Sequence, residues 1–270
     1  MKKTKKINST DIKKMGYVDF MATLDEINRP PGGKESIREL VLNTFLSKDS
    51  KVLDVGCNTG YCSFEIAALA KCKVVGLDIN KNMINSATSL RDKYYTDLKD
   101  KISFLQGDGM KLPFKDNAFD LVMSGGSTAF IPSIQKALCE YKRVCKPWGF
   151  IGDINFYYHT EPPKSLLIKM NNLLGIKIQP WNREYWLNIY RNAGLEIYHC
   201  SFCTAKAVSN NDVRRYCIQL ASEKKWSKEV TEAAISRLIR TMKIFNENHK
   251  YLAFGVFILR KRTFPEVTLF

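Results

Sequence analysis

The sequence predicts an α/β fold built on a doubly wound, largely parallel sheet. Between residues 51 and 78 a β-branched run, a glycine-containing turn, an apolar helix and a second buried run follow one another, as in a βαβ unit. Further short apolar runs recur at residues 102–105, 118–122 and 150–156. The chain has 270 residues, 45% of them hydrophobic, which suffices for one such domain with an accessory part.

The turn of this βαβ unit predicts the kind of ligand. Gly56 and Gly60 allow backbone N–H groups to approach a ligand, and Asp78 can accept both hydrogen bonds from a ribose diol. We therefore expect an adenosine-containing ligand. Asn58 stands where a dinucleotide-binding loop needs glycine, and the charge of Asp54 would repel a pyrophosphate and favour a cation. S-adenosylmethionine, which joins sulfonium and ammonium groups to adenosine, meets these requirements.

The segment Asp54-Val-Gly56-Cys-Asn-Thr-Gly60 resembles the D-x-G-x-x-x-G motif of class I S-adenosylmethionine-dependent methyltransferases. Similar segments follow in the order of that family: residues 107–110 (GDGM), residues 112–122 (LPF and FDLV), and the turn at residues 145–149, where Trp148 replaces a glycine. The resemblance covers residues 51–154 and points to the type 11-like, small-molecule branch. It implies a Rossmann-like seven-stranded sheet of order 3-2-1-4-5-7-6, with an antiparallel last strand and a helical lid.

The resemblance also implies the residues that bind the cofactor, S-adenosyl-L-methionine. Asp54 would act toward the ammonium group, Asp78 toward the ribose and Asp108 toward the adenine amino group. The predicted cofactor-binding set is Asp54, Gly56, Cys57, Asn58, Gly60, Asp78, Ile79, Met83, Gly107, Asp108, Gly109, Met110 and Ser124.

Aromatic and titratable side chains follow the fifth predicted strand, where ligands bind in a doubly wound sheet. His159 is the candidate general base because the pKa of imidazole lies near neutrality, and Tyr157, Tyr158 and Glu161 are alternates. The competing interpretation is an exposed loop histidine without a role. Residues 124–131 lack the Asn/Asp-Pro-Pro-Tyr/Phe clamp of enzymes that methylate nucleic-acid bases, which disfavours that activity.

The formal net charge of +15 raises the question of a polyanionic partner. Six lysines lie within residues 1–14, but the later basic residues are mixed with acids. A solvated, lysine-rich surface is therefore the preferred interpretation, and a nucleic-acid partner is disfavoured.

Eight cysteines are spread along the chain, which is typical of reduced thiols in a core. Cys200 and Cys203 have metal-ligand spacing without a second pair, so no metal is expected. No long apolar run predicts a membrane span, and residues 1–14 lack the apolar core of a signal peptide. We therefore expect a cytoplasmic location.

We divide the chain into a mobile basic tail (residues 1–14), an N-terminal helical cover (15–46) and a methyltransferase domain (47–270). Lid elements are expected at about residues 156–192 and 205–248. The elements predicted outside the family motifs are helices over residues 35–46, 80–94, 133–145, 164–174 and 183–192, and strands over residues 196–204 and 251–260.

The sequence thus predicts an enzyme that moves a methyl group from S-adenosylmethionine to an oxygen, nitrogen or carbon atom of a small organic molecule. A general base is needed only if the acceptor must lose a proton. Two alternatives stay open: an RNA or protein methyltransferase guided by the basic tail, and a non-catalytic S-adenosylmethionine-binding scaffold. The sequence leaves a homodimer open.

Overall fold

The computed structural model describes residues 7–206 and 208–263, and its centre is a seven-stranded sheet. The strands are β1 (Lys51–Val55), β2 (Lys73–Asp78), β3 (Ile102–Gln106), β4 (Phe119–Ser124), β5 (Cys145–Tyr158), β6 (Glu196–Thr204) and β7 (Leu252–Arg260). Their order across the sheet is β3-β2-β1-β4-β5-β7-β6. Strands β1 to β5 pair in parallel, and β7 is antiparallel to both β5 and β6. The predicted strand order is confirmed.

Helices cover both faces of this sheet and its carboxyl edge. They are α1 (Ser9–Lys14), α2 (Tyr17–Thr23), α3 (Gly33–Leu42), α4 (Tyr61–Ala70), α5 (Lys81–Tyr94), α6 (Ile134–Val144), α7 (Lys164–Leu174), α8 (Arg183–Asn192), α9 (Asn210–Ser222) and α10 (Lys228–His249). Six of them begin after a polar residue whose side chain accepts a backbone N–H of the first turn, which fixes the start of the helix. These capping residues are Asn8, Asn80, Ser133, Asn182, Ser209 and Ser227.

Two apolar clusters flank the sheet. One packs α3 and α4 against it through residues such as Ile37, Leu40 and Ile66, all fully buried. The other packs α6 and α8 against the opposite face. Trp186 and Tyr190 of α8 are fully buried there, so α8 belongs to the core and the predicted lid range 156–192 is wrong for this helix.

A third apolar cluster lies over the carboxyl edge of the parallel strands. It joins α1, α2, α9 and α10 with Met83 of α5. Helix α7 contacts α10 and α2. We call α1, α2, α7, α9 and α10 the lid. Among the described residues, no helix has both the length and the apolar character needed to cross a membrane.

Part of the predicted mobile tail is ordered. Asn8 and Asp11 form a capping box at the start of α1, and Ile12 is fully buried against the lid. Arg237 of α10 donates hydrogen bonds to the carbonyls of Ile12 and Met15. The tail prediction is therefore wrong for Ser9–Lys14, because one apolar side chain and its cap suffice to dock this short helix. Residues 1–6 lie outside the described residues.

Some predicted boundaries also differ. The helix predicted over residues 35–46 ends at Leu42, and the fifth strand extends beyond the predicted residues 150–156 at both ends. Trp148 adopts the left-handed conformation, with φ +61°, that the family turn assigns to glycine. The guanidinium of Arg260 lies 5.2 Å from the centre of its ring. This contact helps to hold a bulky residue in a conformation that glycine adopts more readily.

Candidate functional site

The loop after β1 is tightly folded against its neighbours. The N–H groups of Gly56 and Cys57 both donate to the carbonyl of Leu77, at 2.7 and 3.0 Å. Gly56 has φ +70°, and a Cβ placed on it would lie 2.2 Å from the Cβ of Ser127. Gly60, with φ +93°, precedes the first residue of α4. Glycine is required at both positions, and the loop brings backbone N–H groups to the carboxyl edge of the sheet.

Asp78 ends β2 with its carboxylate held by the backbone. The Asn58 N–H donates to Oδ2 at 3.0 Å and the Asn80 N–H donates to Oδ1 at 2.8 Å. Burial raises the pKa of the Asp78 carboxyl, and these two hydrogen bonds oppose the rise. Each carboxylate oxygen keeps a free lone pair, so the group can still accept hydrogen bonds from a ribose diol.

Asp54 lies fully buried at the end of β1. The Ser63 hydroxyl donates to its Oδ2 at 2.7 Å, whereas Oδ1 has no hydrogen-bond partner among the described residues. Burial raises the pKa of this carboxyl to about 7. A buried carboxylate oxygen without a donor is costly unless a ligand or an ordered water satisfies it. The site therefore fits a cationic ligand such as the methionine portion of S-adenosylmethionine.

The predicted adenine side lies next to Asp78. The Gly107 N–H donates to the carbonyl of Asp78 at 2.9 Å, and the half-buried Asp108 accepts the Met110 N–H at 2.8 Å. Ile79 is 67% exposed, which is unusual for isoleucine and leaves its side chain available to an adenine ring. Ile79, Asp108 and Met110 lie on the neighbouring segments after β2 and β3, and their roles toward the adenine stay predictions.

Three other predicted cofactor residues already have protein partners. The Ser124 hydroxyl oxygen accepts the N–H groups of Ser127 and Thr128, both at 3.1 Å. Met83 is buried in the third apolar cluster, and Cys57 is a buried residue of the glycine loop. Their roles toward the cofactor stay predictions.

The segment before α3 contacts the cofactor loops directly. The Thr59 hydroxyl donates to the carbonyl of Glu26 at 2.7 Å. Asp19 Oδ1 accepts hydrogen bonds from the side-chain amides of Asn80 and Asn82, at 2.9 and 3.1 Å. We call residues 17–31 the strap. The strap includes α2, which also belongs to the lid, and it contacts both the glycine loop and the segment after Asp78.

The four predicted catalytic residues do not form one cluster. Tyr157 packs against Phe202 with ring centres 6.0 Å apart. The hydroxyl of Tyr158 donates to Asn248 of α10 at 3.1 Å, on the opposite side of β5. His159 and Glu161 are exposed in the loop after β5. Their separation follows from strand geometry, since consecutive strand residues point to opposite faces.

Sequence reasoning missed His249 at the end of α10. Its Nδ1 is buried and has no hydrogen-bond partner among the described residues. Burial lowers the pKa of His249, which favours the neutral imidazole. Its ring centre lies 5.6 Å from that of Phe156 on β5. No local motif marks this residue, because only the packing of α10 brings it to the end of β5.

Comparisons with known proteins agree with this geometry. A family model described as "Methyltransferase domain" matches residues 53–152. An uncharacterized protein of Haemophilus influenzae is 29% identical over 178 residues, which cover 65% of this chain and 70% of that protein. A sterol 24-C-methyltransferase of Gibberella zeae is 34% identical over 165 residues, covering 59% of this chain and 43% of that enzyme. The chain thus spans less than half the length of this sterol methyltransferase.

Solved structures share the fold. The crystal structure of MccD protein gives a TM-score of 0.73 at 23% identity, covering 87% of this chain and 100% of that one. A putative sarcosine dimethylglycine methyltransferase from Galdieria sulphuraria gives 0.70 at 19% identity, with 85% of each chain covered. Fold, loop and acids together define a transferase domain whose cofactor is S-adenosylmethionine. The methyltransferase domain matched over residues 53–152 has the fold of the class I S-adenosylmethionine-dependent methyltransferases.

Proposed function

We propose that the chain methylates an oxygen, nitrogen or carbon atom of a small organic molecule. The observation that carries this proposal is the enclosure of the carboxyl edge of the sheet. Asp25 of the strap accepts hydrogen bonds from Ser86 of α5 and Lys224 after α9, and Glu26 accepts one from Tyr216 of α9. A site bridged in this way favours a small acceptor over a folded macromolecule.

Bound S-adenosylmethionine supplies a methyl group on a sulfonium, which is a good leaving group. The residues of the chain then need to orient the acceptor in line with the methyl group and to exclude water, and both effects can carry much of the acceleration. Asp78 and Asp108 would fix the adenosine, and Asp54 would fix the methionine portion. The lid would exclude water from the reacting atoms.

An acceptor that must lose a proton needs a general base. His159, Tyr157, Tyr158 and Glu161 stay candidates from the sequence. His249 joins them because its Nδ1 has no hydrogen-bond partner among the described residues and its lowered pKa favours the neutral imidazole, which can accept a proton.

The test is calorimetric titration of the purified chain with S-adenosylmethionine and S-adenosylhomocysteine, followed by mass analysis of small molecules that co-purify. We expect binding of both compounds with dissociation constants of about 1 μM. A co-purified molecule that gains one methyl group when S-adenosylmethionine is added would identify the acceptor. Absence of binding to both compounds would contradict the proposal.

The alternatives predict other outcomes. A non-catalytic scaffold would bind the cofactor and consume none with any acceptor. An RNA methyltransferase guided by the basic tail would lose activity when residues 2–6 are deleted, a change that leaves α1 intact. Unchanged turnover by this deletion variant would contradict guidance by the tail. A homodimer and a cytoplasmic location stay predictions, and light scattering of the purified chain tests the first.

A further inference from the structure

One carboxylate of the strap, that of Glu26, has only one of its two oxygens hydrogen-bonded within the described residues. Oε1 of Glu26 accepts a hydrogen bond from the hydroxyl of Tyr216. Oε2 of Glu26 is buried and has no hydrogen-bond partner among the described residues. Burial raises the pKa of this carboxyl, while the hydrogen bond from Tyr216 and the charge of Arg29 oppose the rise. Leaving such an oxygen without a donor is costly, so its surroundings indicate a ligand that donates.

One tyrosine contacts this carboxylate, and a second lies within range of its charge. Tyr216 of α9 contacts it directly. Burial, and secondly the charge of Glu26, raise the pKa of Tyr17, so the two groups interact electrostatically. The ring of Phe245 on α10 lies 5.6 Å from that of Tyr17. A carboxylate among electron-rich rings is a common arrangement for binding an ammonium group.

The cationic side chains of this region have other partners. Lys224 pairs with Asp25. The guanidinium of Arg29 lies over the ring of Tyr61, 5.5 Å from its centre, and that of Arg237 lies over Phe20 at 4.3 Å. In residues 7–206 and 208–263, no cationic side chain forms an ion pair with Glu26. Arg29 lowers the pKa of Glu26 through its charge but forms no ion pair with it among the described residues, so direct pairing with this carboxylate is left to a ligand.

The backbone of Glu26 lies beside the predicted cofactor loop. Its carbonyl accepts the hydroxyl of Thr59, which lies in the loop between Gly56 and Gly60. We propose that Glu26, Tyr17 and Tyr216 form a binding site for an ammonium group. This inference rests on the proposed function, which supplies two sources of that group: the amino group of the cofactor or an amine acceptor.

Glu26→Gln tests the proposal, because the amide removes the charge and keeps the shape and the contact with Tyr216. Three probes are titrated by calorimetry: S-adenosylhomocysteine, 5′-methylthioadenosine, which lacks the amino acid portion, and benzylamine added to protein saturated with S-adenosylhomocysteine. Benzyl alcohol serves as the neutral match for benzylamine. Glu35→Gln, an exposed position on α3, is the charge control, and thermal unfolding checks that each variant folds.

The two sources give different results. If the cofactor supplies the ammonium group, Glu26→Gln lowers affinity for S-adenosylhomocysteine by about tenfold and leaves that for 5′-methylthioadenosine unchanged. If an acceptor supplies it, Glu26→Gln leaves both nucleoside affinities unchanged, whereas benzylamine binds the wild type and not the variant. Benzyl alcohol should bind neither. Glu35→Gln should match the wild type throughout.

Equal affinities of wild type and Glu26→Gln for all probes would overturn the ammonium site and leave the proposed function standing. A wild type that fails to bind S-adenosylhomocysteine would instead contradict the proposed function, and benzylamine titrated into the free protein would still test the site. If Glu26→Gln does not fold, Glu26→Asp moves the carboxylate back by one methylene, and unchanged affinity for every probe would again overturn the proposal.

Discussion

At the scale of single residues, Asp78 shows how backbone geometry prepares a side chain for a ligand. Two N–H groups, from Asn58 and Asn80, fix the plane of its carboxylate before any ribose binds. A pre-oriented acceptor loses little conformational freedom on binding, which strengthens each hydrogen bond to the ligand. The same residue was predicted from its position after a buried strand.

Asp78→Ala should weaken binding of S-adenosylmethionine by about 1–3 kcal/mol, because it removes charge-assisted hydrogen bonds to the ribose. Calorimetry of both proteins measures the difference. Asp49→Ala changes an exposed acid before β1 and is the control. Equal affinities of Asp78→Ala and the wild type would remove Asp78 from the site.

Two histidines compete for the role of general base. His249→Ala should lower turnover of the identified acceptor by about 100-fold, since a buried neutral imidazole with a free nitrogen can accept its proton. Affinity for S-adenosylhomocysteine should stay unchanged. The matched variant is His159→Ala, at an exposed position. The sequence predicts that this variant also has a lower turnover. A wild-type rate in either variant excludes that histidine as the base.

At the scale of elements, the strap is the segment that connects the lid to the cofactor loops. Its acids contact α5, α9 and the segments next to them, and its prolines approach the turn after β4: a Cβ placed on Gly126 would lie 3.3 Å from Cδ of Pro31. Gly126, with φ +105°, therefore allows both the turn and the close approach of the strap. We expect this segment to move when the cofactor enters.

Asp19→Ala removes the acceptor of two hydrogen bonds, from Asn80 and Asn82. We expect the strap to open more often, so that S-adenosylhomocysteine dissociates about tenfold faster. Stopped-flow measurement of dissociation tests this rate, and hydrogen exchange of residues 17–31 should increase in parallel. Unchanged dissociation with faster exchange would show that the strap does not limit release.

At the scale of the whole molecule, two fully buried acids make stability depend on pH. Burial raises the pKa of Asp54 and of Asp153 to about 7 in each case. Asp153 accepts hydrogen bonds from Tyr190 at 2.8 Å and Thr128 at 3.0 Å, so it links α8 and the segment after β4. Among the described residues, neither carboxyl accepts a hydrogen bond from a cationic side chain.

Both carboxyls keep their protons in the folded chain at pH values where the unfolded chain has lost them. The folded chain therefore binds more protons between about pH 4 and 7, and the free energy of unfolding falls as pH rises through this window. Asp153→Asn should make the free energy of unfolding decrease less between pH 5 and 8, by about 2 kcal/mol, as measured by urea unfolding. Asp49→Asn is the exposed control, and an unchanged pH dependence in Asp153→Asn would contradict the assignment.

The sequence by itself determined the sheet and the acids at its carboxyl edge. Local patterns predict the individual strands, since glycine turns and buried runs are encoded by neighbouring residues, and the resemblance to the family implies the strand order and the roles of Asp54, Asp78 and Asp108. The helices α7 and α8 were predicted at their observed boundaries for the same reason.

Only the tertiary structure decided what covers that edge. In the folded chain α1 packs against the lid, α8 lies in the core, and Tyr157 and Tyr158 lie on opposite faces of β5. Glu26 contacts Tyr216, and His249 lies near Phe156, although these residues are far apart in the sequence. Contacts of this kind depend on how helices pack against one another, which no local pattern records. An unpaired buried atom, such as Oε2 of Glu26, becomes visible only when all its neighbours are in place.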